Sequence, residues 1–126
     1  MKKSLNKRIK SFGFAWNGIK SVFKSEPNMK IHGVVAILVI ICGILFSISI
    51  REWLLCLLCF GFVISMEMMN TAIENIVDLV SPDHNYLAGK AKDVAAGAVL
   101  ISAIISAIIG LIIFVPKGLN LIFSLT

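Results

Sequence analysis

The chain has 126 residues, 58% of them hydrophobic and 15% charged, and carries a net charge of +5. A water-soluble domain of this size has about 25% charged residues, so the composition excludes an ordinary soluble fold and places the chain in the membrane class. The positive excess needs no nucleic-acid partner, because most of it lies in an N-terminal arm where it can meet anionic headgroups.

The arm comes first. Lys2, Lys3, Lys7, Arg8, Lys10, Lys20, Lys24 and Lys30 all precede the first long apolar run, against a single acid, Glu26. Leu5, Ile9, Phe12, Trp16, Ile19 and Phe23 recur at spacings of four and three, within about 80° of a helix circumference. This predicts an amphipathic helix over 1–25 lying in the membrane surface, aromatic face toward the acyl chains and lysines toward the headgroups. Phe14 and Val22 fall off the stripe and are free to face another helix. About thirty residues of mixed character before the apolar run, with no small-residue cleavage site after it, do not read as a cleaved signal peptide, so the first span is expected to be retained. Pro27 then disfavours helix at Glu26 and suits the first position of the next one.

Three stretches lack Asp, Glu, Lys and Arg: 31–50, 53–66 and 94–116. The first and third reach the roughly 20 residues that cross about 30 Å of hydrocarbon, and the second does so if its helix continues through Glu67. Predicted spans are 28–49, 53–80 and 90–115, within a single membrane domain covering 1–126. The fold class is an all-α membrane protein, a surface helix followed by three transmembrane helices. A turn at 50–52 joins the first two spans, with Arg51 and Glu52 solvated and Trp53 as an interfacial anchor. The cluster Ser81-Pro82-Asp83-His84-Asn85 ends the second span, and Pro116-Lys117-Gly118 ends the third. The positive-inside rule puts the N-terminus in the cytoplasm of a multi-pass cell-membrane protein, with the 81–93 loop on the same side. In the third span Ala98, Ser102, Ser106 and Gly110 repeat every fourth residue, a small-residue face suited to close helix contact within the chain or between copies of it. Cys42, Cys56 and Cys59 lie in apolar segments, and Cys56-x-x-Cys59, flanked by Leu and Phe, reads as packing.

The chemistry lies in the second span. Glu67, Asn70, Thr71, Glu74 and Asp78 fall within an arc of about 100° on a helix. A charged side chain in a membrane helix costs roughly 2.5–3.5 kcal/mol on insertion scales, so three carboxylates on one face must meet protein, metal or water. Glu67 should lie deepest, with Glu74 and Asp78 progressively nearer the cytoplasmic surface. Glu74 suits Mg²⁺, a hard ion that prefers oxygen ligands and retains waters and phosphate oxygens. Glu67 suits a general base accepting a proton from an alcohol, because partial desolvation favours proton acceptance by a carboxylate. Lys90 and Lys92, with Lys7, Arg8 and Lys10 of the arm, can neutralise transferring phosphates. On physics alone the same set serves an ion or proton transporter equally well, and an accessory subunit without activity is a third reading. His32 reads as an interfacial residue, Met66, Met68 and Met69 as apolar lining around the stripe, and Asp78 as support for the site or as a soluble helix end.

No soluble-kinase loop is present, neither G-x-x-x-x-G-K-[ST] nor H-R-D with D-F-G. The words Glu67-Met-Met-Asn70-Thr71-Ala-Ile-Glu74-Asn-Ile-Val-Asp78 and Ala91-Lys92-Asp93-Val-Ala-Ala-Gly-Ala-Val nevertheless closely resemble the bacterial membrane diacylglycerol kinase and undecaprenol kinase family, over essentially the whole chain to about Pro116. The resemblance implies a homotrimer with active sites between subunits, MgATP entering from the cytoplasm, and transfer of the γ-phosphate to a lipid hydroxyl. It further implies Glu67 as catalytic base with Asn70 beside it, Glu26 and Glu74 as ligands of the metal bound with ATP, and Lys92 and Asp93 as nucleotide contacts. Phe14 stands where the family often has a tyrosine against the nucleotide, so a hydroxyl contact is lost. Lys7 aligns with a family arginine, and Arg8 is its neighbour. Lys10, Thr71, Asp78, Asp83, His84 and Lys90 are counted as support. The run Ser81 to Val99 and the turn Ile50-Arg-Glu-Trp53 resemble the undecaprenol kinases of Gram-positive bacteria more than the diacylglycerol kinases, so undecaprenol is the expected acceptor and diacylglycerol the alternative.

Overall fold

A computed structural model describes the backbone of residues 2–83 and 85–125, and the side chains of residues 6–83, 85–121 and 123. It contains four helices: α1 (Lys2–Ser25), α2 (Pro27–Leu45), α3 (Ile50–Val80) and α4 (Tyr86–Leu125). Three of them, α2, α3 and α4, are long and apolar enough to cross a membrane. Ile37, Leu38, Ile41, Leu57, Leu58, Ile104, Ile108 and Leu111 face outward, an apolar exterior too extensive for water.

The single residue between α1 and α2 is Glu26, extended at φ −91° and ψ 120° because Pro27 follows it. Its N–H still closes α1 by donating to Val22 O at 2.9 Å. Val22 and Met29 are buried on either side of the break, and the Phe23 ring would lie 3.5 Å from a Cβ at Gly33, so α1 folds back onto the start of α2. Of the two residues off the arm's stripe, Val22 therefore meets another helix, whereas Phe14 remains 73% exposed.

The connection between α2 and α3 corrects the expected turn at 50–52. Helix α2 stops at Leu45, and the turn occupies 46–49. Ile48 N–H donates to Gly43 O and Ser47 N–H to Ile44 O, both at 3.1 Å, the Schellman pattern that ends a helix through one left-handed residue. Here that residue is Ser47, with φ 48°. Arg51 and Glu52 belong to the first turn of α3, not to a solvated turn. Glu52 N–H donates to Ser49 Oγ at 3.4 Å and Ser49 N–H to Glu52 Oε2 at 2.6 Å, a capping box that satisfies two orphan donors. The S-x-x-E spacing carrying this cap is plain in the sequence.

Helix α4 is longer than the predicted 90–115 at both ends. Asn85 caps its start, its Oδ1 accepting from Leu87 N–H at 2.9 Å and Ala88 N–H at 3.3 Å, which moves the start back to Tyr86. Pro116 does not end it; the helix runs on with the proline inside. Proline removes one backbone hydrogen bond, but leaving the helix in an apolar sequence would strip partners from several groups. Lys117, just past the proline, lies 3.2 Å from Glu52 and ties the continuation to the start of α3.

Helix α4 packs along α3, and α2 leans on α3. Buried positions on α4 are Ala95, Val99, Ser102 and Ile113. Ser102 is therefore the contact member of the small-residue series, Ser106 and Gly110 are half buried, and Ala98 faces out. At the turn end, Ile48, Cys56 and Ile113 form a cluster closed by Trp53 and by Phe46 against Phe114, centroids 6.2 Å apart. Trp53 is thus a packing residue as much as an anchor.

A Cβ at Gly43 would stand 2.6 and 2.7 Å from the Trp53 ring and 3.1 Å from Ile48. Gly43→Ala gains up to about 1 kcal/mol of helix propensity but forces an overpacking cost of roughly 1–3 kcal/mol, so its thermal unfolding midpoint in detergent is expected to fall. Ser47→Gly should raise the same midpoint, because glycine relieves roughly 1 kcal/mol of left-handed strain.

Candidate active site

Burial within the protein falls along the polar stripe of α3 from Glu67 to Asp78. Glu67 is 1% exposed, Asn70 and Thr71 are buried, Glu74 is half buried, and Asp78 is exposed. Helical spacing puts these side chains on one face, and the packing of α4 against that face covers its inner end.

A cavity of about 290 Å³ opens over the stripe. Helix α3 contributes Glu67, Asn70 and Glu74; α2 contributes Asn28, Ile31 and His32; α4 contributes Ala96, Val99, Leu100 and Ala103. Asn70 Nδ2 donates to Glu74 Oε1 at 3.0 Å, so these two act as a unit. Thr71 Oγ1 donates to the Glu67 carbonyl at 3.0 Å, which commits its hydroxyl to the helix backbone and away from the cavity. Glu67 Oε2 and Asn70 Oδ1 are buried with no hydrogen-bond partner. A buried polar atom without a partner costs about 1–3 kcal/mol, so both acceptors are groups awaiting a donor or a cation. The lining includes two carboxylates and no Lys or Arg; any polyanionic reactant must bring its own countercharge or meet cations from elsewhere.

The cation nearest in sequence logic, Lys92, is held by Asp78 through an ion pair in which the Asp78 side chain is 66% exposed. That gives Asp78 a definite task, and the tie is weak, since exposed pairs contribute about 0–1 kcal/mol. Lys90 and Asp93 are exposed on the first turns of α4. Asp83 is exposed and does not line the cavity; its carbonyl accepts from Ser81 Oγ at 3.3 Å in the turn after α3. Glu26 is half buried, accepts from Ser25 Oγ at 2.9 Å, and sits two residues before the lining residue Asn28. Lys7, Arg8, Lys10 and Phe14 are exposed on α1 and do not line the cavity. His84 lies outside the described residues. Within one chain the structure therefore gathers Glu67, Asn70 and Glu74 and leaves Glu26, Lys92, Asp93 and the arm apart. Among the described residues no three His, Cys, Asp or Glu side chains cluster around one point.

The sequence reading missed Asn28 and His32. His32 is half buried between helices, where an interfacial position was expected, and none of Met66, Met68 and Met69 lines the cavity. The signal was available: Asn28, Ile31, His32, Val35 and Val39 follow the three-and-four spacing of one face of α2. A second cavity, of about 350 Å³ and almost wholly apolar, adjoins the first along that face, bounded also by Cys56, Cys59 and Phe60 of α3 and Ser106 and Gly110 of α4.

A family profile described as prokaryotic diacylglycerol kinase matches residues 13–114. The chain is 49% identical over 113 residues to an undecaprenol kinase of Bacillus subtilis, covering 90% of this chain and 92% of that protein. It is 37% identical over 112 residues to a diacylglycerol kinase of Synechocystis sp., covering 88% of this chain and 64% of that one. A diacylglycerol kinase of Escherichia coli is 29% identical over 100 residues, 79% of this chain and 82% of its own length. A carboxylate stripe with a buried inner end on a long apolar helix, found in a chain whose matched region runs from α1 through α2 and α3 into α4, places it by descent as well as by chemistry: the chain belongs to the prokaryotic diacylglycerol kinase family and is a membrane lipid kinase.

Proposed function

We propose that the chain transfers the γ-phosphate of MgATP to the hydroxyl of undecaprenol, with Glu67 as the general base. The observation that carries this reading is the Glu67 carboxylate, buried with Oε2 unpaired, in a cavity that adjoins an apolar one. The hydroxyl oxygen bonds to the γ-phosphorus, the bond from that phosphorus to the β,γ-bridging oxygen breaks, ADP leaves, and the hydroxyl proton passes to Glu67. The products are ADP and the lipid phosphate. Asn70 holds Glu74 in place, and the donor set of carboxylate and amide oxygens fits a hard cation. Glu74 and Glu26 would hold the Mg²⁺ that accompanies ATP, which supplies the countercharge this cavity lacks. Lys92 and Asp93 contact the nucleotide, and the weakness of the Asp78 tie leaves Lys92 free to turn to phosphate.

Undecaprenol is favoured over diacylglycerol by the 49% identity to an undecaprenol kinase against 37% and 29% to the two diacylglycerol kinases. The absence of Glu26 and the arm residues from the lining of the Glu67 cavity supports completion of each site by another subunit, in the homotrimer that the family resemblance implies. In this reading the N-terminus is cytoplasmic in the cell membrane, as its eight basic residues favour, and α1 lies in the interface.

Labelled ATP offered with undecaprenol and with diacylglycerol in mixed micelles tests both parts. Undecaprenol is expected to be the better acceptor, and Glu67→Gln to slow transfer by at least about 100-fold while the oligomer persists. Preference for diacylglycerol would overturn the acceptor, and unimpaired Glu67→Gln the base. Co-assembly of Glu67→Gln with Glu26→Gln subunits, each inactive alone, is expected to recover activity if the two residues serve one site from different chains.

A further inference from the structure

The two cavities share three lining residues, Ile31 and His32 of α2 and Ala103 of α4. Of these His32 alone carries a polar side chain. On one side of it lie Glu67, Asn70 and Glu74. On the other the walls are Val35, Val39, Phe60, Val63 and their neighbours. The hydroxyl of Ser106, which also lines the apolar side, is already given to the Ser102 carbonyl at 2.8 Å. His32 is half buried and makes no hydrogen bond or ion pair among the described residues. A half-buried imidazole with its hydrogen-bonding capacity unused, set at the boundary between a carboxylate cavity and an apolar one, has the chemistry to meet an amphiphile at the junction of head and tail.

We propose that His32 is a substrate-binding residue for the acceptor alcohol, a ring nitrogen of its imidazole hydrogen-bonding the hydroxyl and holding it within reach of Glu67. The tail of the alcohol leaves through the apolar cavity. This rests on the lipid-kinase reading above and adds a contact to it. In a neutral imidazole the N–H donates to a lone pair of the hydroxyl oxygen, while the hydroxyl proton points to Glu67; no proton moves to or from His32 in the step. Because Glu67 and Asn70 present unpaired acceptors, a donor opposite them gives the hydroxyl a fixed orientation, which two acceptors alone would not.

The test compares wild type, His32→Leu and His32→Gln in detergent, measuring kcat and the KM for undecaprenol and for ATP. A competitive inhibitor with the same tail and no hydroxyl is run beside them. His32→Leu is expected to raise the KM for the alcohol or lower kcat/KM by roughly tenfold, the value of one buried hydrogen bond, with the KM for ATP unchanged. His32→Gln, which keeps a donor, should recover most of the loss, and the hydroxyl-free inhibitor should bind wild type and His32→Leu alike. Equal kinetics in wild type and His32→Leu would overturn the proposal. So would parallel losses in alcohol, ATP and inhibitor binding, or a His32→Gln protein no better than His32→Leu. If His32→Leu does not fold, His32→Gln and His32→Ala provide the same comparison. Absence of any ATP-dependent alcohol phosphorylation by the wild type would instead refute the kinase reading itself.

Discussion

A carboxylate in hydrocarbon has to find protein, water or a cation, and the positions of Glu67 and its neighbours follow from that demand. Helix α3 carries three acids on one face, and α4 packs against it with Ser102 fully buried and Ala95 and Val99 beside it. Close approach of the two helices removes Glu67 from lipid. The same approach leaves Glu67 Oε2 and Asn70 Oδ1 without partners, a cost that a merely structural helix pair would have been free to avoid. Local instability and chemical readiness are here the same feature.

The second constraint acts at the opposite end of the bundle. The Schellman turn at Ser47, the Ser49–Glu52 box, Trp53 over Gly43 and the Glu52–Lys117 pair all concentrate around the start of α3. These contacts fix the rotation of α3 about its own axis. Since each residue turns a helix by about 100°, a small error at that end would swing the acidic face out of the groove between α2 and α4. The turn end holds the orientation, and the end with the cavity holds the reactive groups.

Much of this was legible in the sequence. Three charge-free runs and the break at Glu26-Pro27 led to α1 to α4, and the three-and-four spacing of Glu67, Asn70 and Glu74 located the cavity. What escaped reading depended on contacts between elements or on competition between local rules. Pro116 reads as a stop, but an apolar environment outweighs the loss of one hydrogen bond. Helix α4 starts four residues before the predicted position, because the Asn85 side chain caps it inside a turn cluster that hides the signal. The spacing of Asn28, Ile31, His32, Val35 and Val39 marks one face of α2, but which neighbours that face meets is not written in α2 alone; the cavity on each side of His32 is a property of three helices together. The sites of Glu26, Lys92 and the arm were named through family resemblance, and a single chain does not bring them to Glu67.

The single extended residue at Glu26 makes α1 and α2 two helices with almost no slack between them. A longer linker would let the arm adopt any azimuth. With one residue, the phase of α1 is geared to that of α2: inserting or deleting one position between Lys24 and Pro27 would rotate Phe12, Trp16 and Lys20 by about 100° relative to His32. The one-residue joint therefore acts as a gear between the arm and the cavity wall, passing any rotation of α2 on to α1.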